Sequence, residues 1–283
     1  MSKIAIITDT DSSLPVEIAS QYNITQVPIT IHFGESSYTT NQDINDTILF
    51  EIIDQSNKFP TTSAPPPTAF EKAYQNAFDS GYETIISICV SSKISATYQA
   101  AVTACEQFPG KDIAVVDSMQ LTLGQGLIVL HAAKAAYNGA TRNEILAEIE
   151  QIQKNLHVFG VVPTLKYLSM SGRVGKVAAG LADTFNIKPI LSVQDGKLDL
   201  LEKIRTMKKA KMRLIELATS AIGDKNIKEL GFIHVNNLAG AKDLHASFCK
   251  EFSCPTNPIM AEFTPGLSVH TGSGVIGFVI LTE

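Results

Sequence analysis

The sequence has no tryptophan, and aromatic residues make up only 7% of it. So thin a supply argues against the stacking platforms that hold exposed bases. A basic excess is missing as well. Lys and Arg total 23 against 28 Asp and Glu, a net charge of −5 with a pI near 5.7. That balance excludes a general nucleic-acid binder. Long apolar runs are absent. After Lys3 the first one covers only residues 4–7, and Asp9 ends it. A secretory core needs roughly 7–15 apolar residues and a membrane span about 20. The expectation is a cytoplasmic protein with no transmembrane segment, with transient contact at a membrane surface left open. The four cysteines, Cys89, Cys105, Cys249 and Cys254, share no CxxC spacing, and are expected as buried free thiols. Walker, Gly-x-Ser-x-Gly and HxxxH patterns are also missing. Their absence leaves no support for a self-contained nucleotide site, a serine-hydrolase elbow or a helix-borne metal pair.

What is present is a chain of 283 residues, 45% apolar and 18% charged. At about 100–200 residues per domain, this favours two globular domains. In the first half, strand-like runs at residues 3–8, 27–33, 84–90 and 112–117 alternate with helical patterns at 70–78, 96–108 and 127–137. Thr141 and Glu144 then form a capping box that opens a helix to about residue 155. Strands separated by helices imply crossover units and a parallel sheet. The second half reads differently. Residues 187–193 and 197–201 flank Asp195-Gly196, a two-residue hairpin turn. Helices are expected at 206–221 and 238–251, and strands at 228–235, 258–263 and 275–281. The predicted architecture is α/β. Residues 1–156 form an N-terminal domain with a parallel sheet and flanking helices. Residues 157–283 form a C-terminal α/β domain with a mixed or antiparallel sheet.

Several polar clusters sit where such a fold places ligands. The first strand runs into Asp9-Thr10-Asp11-Ser12-Ser13. Two carboxylates two apart could hold Mg²⁺ or supply an aspartyl nucleophile, and the pattern looks like the first motif of haloacid-dehalogenase-type phosphatases. Those enzymes need a second acidic cluster late in the domain, which is missing here. Asp117 is a lone acid, and the plainer reading makes Asp9 and Asp11 cap the helix that starts near Pro15. Thr61-Thr62-Ser63 lies in a proline-rich extended segment. Ser91 and Ser92 end one strand, and Ser95 and Thr97 open the next helix. Hydroxyls and a helix N-terminus outside the carboxyl ends of parallel strands favour an anion. His270-Thr271-Gly272-Ser273-Gly274 follows a strand-like 267–269 and lets backbone and imidazole approach a ligand. His234 ends a strand and is the weaker second histidine. Ser169-Met170-Ser171-Gly172-Arg173-Val174-Gly175 is a tight turn presenting one arginine. Residues 203–213 carry Lys203, Arg205, Lys208, Lys209, Lys211 and Arg213 with no acid. Such a run is usually a solvated helix face, and in an acidic chain it could also dock phosphate or a partner.

Taken in order, these segments resemble the DegV family of bacterial fatty-acid-binding proteins. The stretches that carry the resemblance are Thr8-Asp9 to Ser12, Thr62-Ser63 with the following prolines and Phe70, Ser91-Ser92 with Ile94-Ser95-Ala96-Thr97-Tyr98, Val116-Asp117-Ser118, residues 168–175, Ile187-Lys188-Pro189-Ile190-Leu191 to Gly196, Lys203 with Arg205, and His270 to Gly274. No single motif is specific, but the ordered set spans essentially the whole chain. Ala96, Ser171 and Ser273 depart from the family's usual Gly, Gly and Pro, and Ala64-Pro65-Pro66 from its Gln-Pro-Ser. None of these removes a ligand-binding side chain.

The resemblance implies a two-domain α/β protein that encloses one long-chain fatty acid in an apolar tunnel between the domains. It implies no cofactor, and a partner: the ATP-binding subunit of a fatty acid kinase, to which the acyl carboxylate is presented for phosphorylation. By the same resemblance, Thr62, Ser92 and His270 bind the carboxylate, while Arg173 and Arg205 serve phosphoryl transfer or kinase docking. The chain is then a carrier with no catalytic set of its own. The alternative is a Mg²⁺-dependent phosphatase built on Asp9 and Asp11.

Overall fold

A computed structural model describes residues 3–56, 58–173, 187–255 and 258–283 of the chain. The first half contains β1 (Ile4–Asp9), α1 (Val16–Gln21), β2 (Thr25–Val27), β3 (Thr30–Phe33), β4 (Ser36–Thr39), α2 (Asp46–Ser56), β5 (Thr61–Ser63), α3 (Pro67–Asp79), β6 (Thr84–Cys89), α4 (Thr97–Cys105), β7 (Asp112–Asp117), α5 (Thr122–Tyr137) and α6 (Arg142–Asn155). The second contains β8 (Leu156–Val161), α7 (Lys166–Ser171), β9 (Lys188–Gln194), β10 (Lys197–Ile204), α8 (Met207–Ile222), β11 (Ile227–His234), α9 (Leu238–Phe248), β12 (Ile259–Glu262), α10 (Pro265–Thr271) and β13 (Ile276–Thr282).

The first sheet is parallel throughout, in the order β2-β1-β6-β7. Its central strands β1 and β6 are buried along their whole length, as a sheet covered on both faces requires. The second sheet is mixed, in the order β10-β9-β8-β13-β11-β12, with only β11 and β12 parallel. This is the α/β architecture the sequence implies. The Asp195-Gly196 turn joins β9 and β10 as an antiparallel hairpin, and the Thr141–Glu144 capping box opens α6.

Three features differ from the sequence reading. The run at 27–33 is not one strand. Pro28 has no N–H to continue a ladder, and the chain switches sheets there: β2 joins β1, while β3 enters a small antiparallel sheet, β4-β3-β5. Residues 267–269, expected as strand, lie inside α10, which starts with Thr264 as its N-cap residue and Pro265 in its first turn. Proline is preorganised for that position. Finally, Cys249 and Cys254 form a disulfide, while Cys89 and Cys105 are free. Val174 and Gly175 of the predicted arginine turn lie outside the described residues.

The two sheets share a core. Helix α5 is buried over most of its length, including Leu123, Leu127, Ile128 and Leu130. A helix apolar on every side must be covered on every side. It packs on β1 and β6 of the first sheet and on β8 and β11 of the second. At its buried end, Gln125 donates to Thr8 Oγ1 and Asp9 Oδ2, both at 3.0 Å. His131, further along, lies 3.1 Å from Glu148 on α6 and 3.3 Å from Glu229 on β11.

Candidate functional site

In the first sheet the chain moves outward from β1 to β2 and, on the other side, from β6 to β7. The crevice outside the carboxyl ends of β1 and β6 is therefore the switch point, where open parallel sheets bind ligands. Asp9 closes that end of β1. Its side chain accepts from the Val90 N–H at 2.8 Å, the Asp11 N–H at 3.0 Å and Gln125 Nε2 at 3.0 Å. Asp9 caps the short 3-10 turn Thr10–Ser12, not the helix after Pro15. Burial raises its pKa to about 6, opposed mainly by the Val90 hydrogen bond. So tied, the carboxyl is a strap between strands. Among the described residues, no third His, Cys, Asp or Glu joins Asp9 and Asp11 at metal-ligand spacing.

Beyond this strap lies a cavity of about 530 Å³ between the two sheets, a size common for small-molecule sites. Its wall is mainly aliphatic. Ile29 and Leu121 come from the first half, and Val158, Leu191, Ile233 and Leu267 from the second. Gly160 belongs to the same wall. The polar lining includes Asp11, Thr62, Ser92, Arg173 and His270.

Different elements deliver these groups. Thr62 is central in β5, which pairs with β3 through Ile31. His270 lies in the last turn of α10. The two side chains, 208 residues apart in sequence, meet at 3.0 Å between Thr62 Oγ1 and His270 Nε2. The other ring nitrogen, Nδ1, is buried without a partner. Burial, assisted by the nearby Arg173 charge, lowers the His270 pKa to about 4, so the ring is neutral near pH 7. Ser92 follows β6 at the exposed rim, its N–H held by the Asp117 carboxylate at the end of β7. Its neighbour Ser91 is buried and donates to the Gly196 carbonyl at 2.7 Å. That bond docks the β9–β10 turn onto the first sheet. Gly196 adopts φ +76°, and a Cβ there would sit 2.5 Å from Ser91 Oγ.

Thr62, Ser92, His270 and Arg173 therefore line one cavity. Arg205 does not. It is exposed between β10 and α8, with no ion pair among the described residues. The basic run around it is partly neutralised: Arg213 pairs with Glu202 and Glu216, and Lys211 with Asp243. His234, the weaker candidate, is buried beside Glu262, and the cavity wall nearby is Ile233 instead.

Asp11, read from the sequence as a metal or phosphatase candidate, lines the cavity with Oδ1 buried and unpartnered. Burial, then the charge of Asp9, raises its pKa well above the carboxylate range, and Arg173 pulls the other way. One group escaped the sequence reading: Asp46, the first residue of α2, accepts from Ser268 Oγ of α10 at 2.8 Å. No local signal marks that pair, because its members are 222 residues apart.

The family model described as "Uncharacterised protein, DegV family" matches residues 3–283. A DegV domain-containing protein of Halalkalibacterium halodurans is 33% identical over 277 residues, 98% of each chain. Among solved structures, a fatty-acid-binding DegV family protein from Thermus thermophilus superposes with a TM-score of 0.93 at 27% identity, covering 100% of both chains. DegV of Bacillus subtilis, described as a fatty acid binding protein, gives a TM-score of 0.89 at 27% identity, again over 100% of both chains.

Proposed function

The chain belongs to the DegV family, and from that membership we propose that it binds one long-chain fatty acid between its two sheets and presents the carboxylate to a partner fatty acid kinase. The acyl chain occupies the aliphatic wall, and the carboxylate sits at Thr62, Ser92 and His270. Residues 1–156 and 157–283 act as two domains that close around the ligand.

The observation that carries this reading is the Thr62–His270 hydrogen bond among the polar groups lining a mainly aliphatic cavity. A buried carboxylate is costly unless its oxygens are hydrogen-bonded. Two hydroxyls and an imidazole supply donors without a fixed opposing charge, and Arg173 adds long-range attraction from the rim. Burying a 16-carbon chain, at about 0.8 kcal/mol per methylene, gives roughly 10 kcal/mol of gross driving force before ordering costs. Similarity to proteins described as fatty-acid-binding supports the same ligand class.

The protein acts as a carrier without a catalytic set of its own. Arg173, at the rim, stabilises the growing negative charge as the carboxylate becomes an acyl phosphate. Arg205, with the exposed Lys208 and Lys209, forms part of the kinase-docking surface. Mass spectrometry of an organic extract from the purified protein tests the ligand class, with about one fatty acid per chain expected. Arg173→Ala and Arg205→Ala separate the roles: each retains fatty acid and loses kinase-dependent acyl-phosphate formation. Unchanged turnover in both variants removes the arginines from the reaction, and lost binding moves them into the ligand shell.

A further inference from the structure

The end of α9 carries a group of soft ligands that fatty-acid binding does not use. His245 lies in the last turn of the helix, and Cys249 is its C-cap residue, donating its N–H to the His245 carbonyl. Residues four apart share one helix face. Cys254 returns beside them from the following turn. One imidazole nitrogen and the two sulfurs all lie within 4.8 Å of one another. The sulfurs are joined as a disulfide.

The disulfide accounts for the cysteines and leaves the histidine unexplained. His245 Nε2 is shielded from water and has no hydrogen-bond partner. The ring packs edge-on against Phe232, with centroids 5.0 Å apart. A polar atom removed from water without a partner opposes folding. A cation shared with the two sulfurs would give such a ring nitrogen a partner.

We propose that reduction of Cys249–Cys254 creates a Cys₂His site for a soft divalent cation, with Zn²⁺ as its probe. Two equivalents of a small thiol supply the two electrons. The first attacks the S–S bond, giving a mixed disulfide and one cysteine thiol, and the second attacks the mixed disulfide, releasing the small-molecule disulfide and the other cysteine thiol. Metal binding then releases both thiol protons to solvent, and the neutral imidazole donates a lone pair. Tetrahedral coordination, with metal–sulfur bonds near 2.3 Å and metal–nitrogen bonds of about 2.0–2.1 Å, brings ligand atoms to about 3.5–3.8 Å of one another. Side-chain rotation suffices to reach this from the observed spread, because all three residues come from one helix end and its turn. A fourth position stays open to water. Exchange with a small-molecule disulfide, which is reduced to two thiols, re-forms Cys249–Cys254 and expels the cation, so occupancy reports thiol redox state.

The test uses the full chain, reduced under anaerobic conditions, freed of reductant, and titrated with Zn²⁺ against a competing chromophoric chelator. The expected result is one equivalent per chain. Binding is at least ten-fold weaker in His245→Gln, at least a hundred-fold weaker in Cys249→Ser and Cys254→Ser, and absent from the oxidised protein. Co²⁺ in place of Zn²⁺ shows thiolate-to-metal charge transfer and tetrahedral d–d bands. Equal zinc binding by reduced wild type and the double serine variant overturns the site. So does equal binding by the oxidised protein. An unaltered affinity in His245→Gln overturns the three-ligand set. Should a variant fail to fold, the Co²⁺ spectrum of the wild type decides alone, and a spectrum without thiolate charge transfer ends the proposal.

Discussion

Thr62 and His270 bear most directly on the proposed ligand, because their hydrogen bond already fixes both groups in the cavity lining. Replacing either removes one partner for a charged oxygen, and a hydrogen bond to a charged group is worth about 1.5–3 kcal/mol. Thr62→Val and His270→Gln are each expected to weaken fatty-acid binding by roughly 10–150-fold, measured by displacement of a fluorescent fatty acid. Wild-type affinity in both variants would place the carboxylate elsewhere. The buried acid Asp46 makes a different claim, about stability. Burial first, and the Glu262 charge after it, raise its pKa from 3.8 to about 7, against the opposing Ser268 hydrogen bond. Between those values the folded chain holds a proton that the unfolded chain has lost. Stability therefore falls as pH rises through that window and levels off above about 7. Asp46→Asn cannot ionise, so it should flatten this dependence by up to about 4 kcal/mol, at about 1.4 kcal/mol per unit. Parallel urea curves for both proteins at pH 4 and pH 7.5 would contradict it. In the sequence, Thr62, Ser92 and His270 stand out as hydroxyls and an imidazole at element ends. Asp46 does not, because what makes it unusual is burial against Ser268 of α10, far away in the chain.

Elements with local instructions were legible. The Thr141–Glu144 box, the Asp195-Gly196 turn and the apolar runs of β1, β6 and β7 carry their signals within a few residues. Elements whose instructions are non-local were not. Residues 267–269 read as strand because three consecutive positions lack a helical period, yet Pro265 and the contact of α10 with α7 and α2 make them helical. The disulfide was equally hidden, since the spacing of Cys249 and Cys254 matches no familiar motif. The end of α10 supplies a sharp test. Gly272 adopts φ +78°, and a Cβ there would lie 2.5 Å from the Tyr167 ring on α7. Such a backbone costs an L-residue about 1–3 kcal/mol before any clash. Gly272→Ala should therefore lose at least that much in urea unfolding. It should also weaken fatty-acid binding, because His270 lies two residues upstream and must move with the displaced helix end. Unfolding and binding both at wild-type level would show that α7 and α10 do not hold the histidine in place.

Across the whole molecule, one apolar core runs through both sheets by way of α5 and α6. Composition indicates a core large enough for a tunnel, but not which aliphatic residues face it, because a wall residue and a packed residue obey the same pattern. Ile29 and Ile31 illustrate this: both are buried and adjacent in pattern, and only Ile29 faces the cavity. The cavity is also a stability device. An empty apolar space forfeits the dispersion contacts of its lining, and a ligand bound only by the folded state restores them. At a free ligand concentration of a hundred times Kd, binding stabilises the fold by about 2.7 kcal/mol. For a chain of this size that corresponds to a rise in Tm of roughly 5–10 °C. Delipidated protein should therefore melt lower than protein as isolated, and re-added fatty acid should restore the difference. The recovery depends on chain length, because each methylene adds about 0.8 kcal/mol of burial until the aliphatic wall is filled. An 8-carbon acid should give little shift at concentrations where a 16-carbon acid gives the full one. A bare carboxylate site would respond to both acids alike. Equal shifts from the two acids would thus confine the ligand to the polar groups and leave the aliphatic cavity as part of the protein's own core.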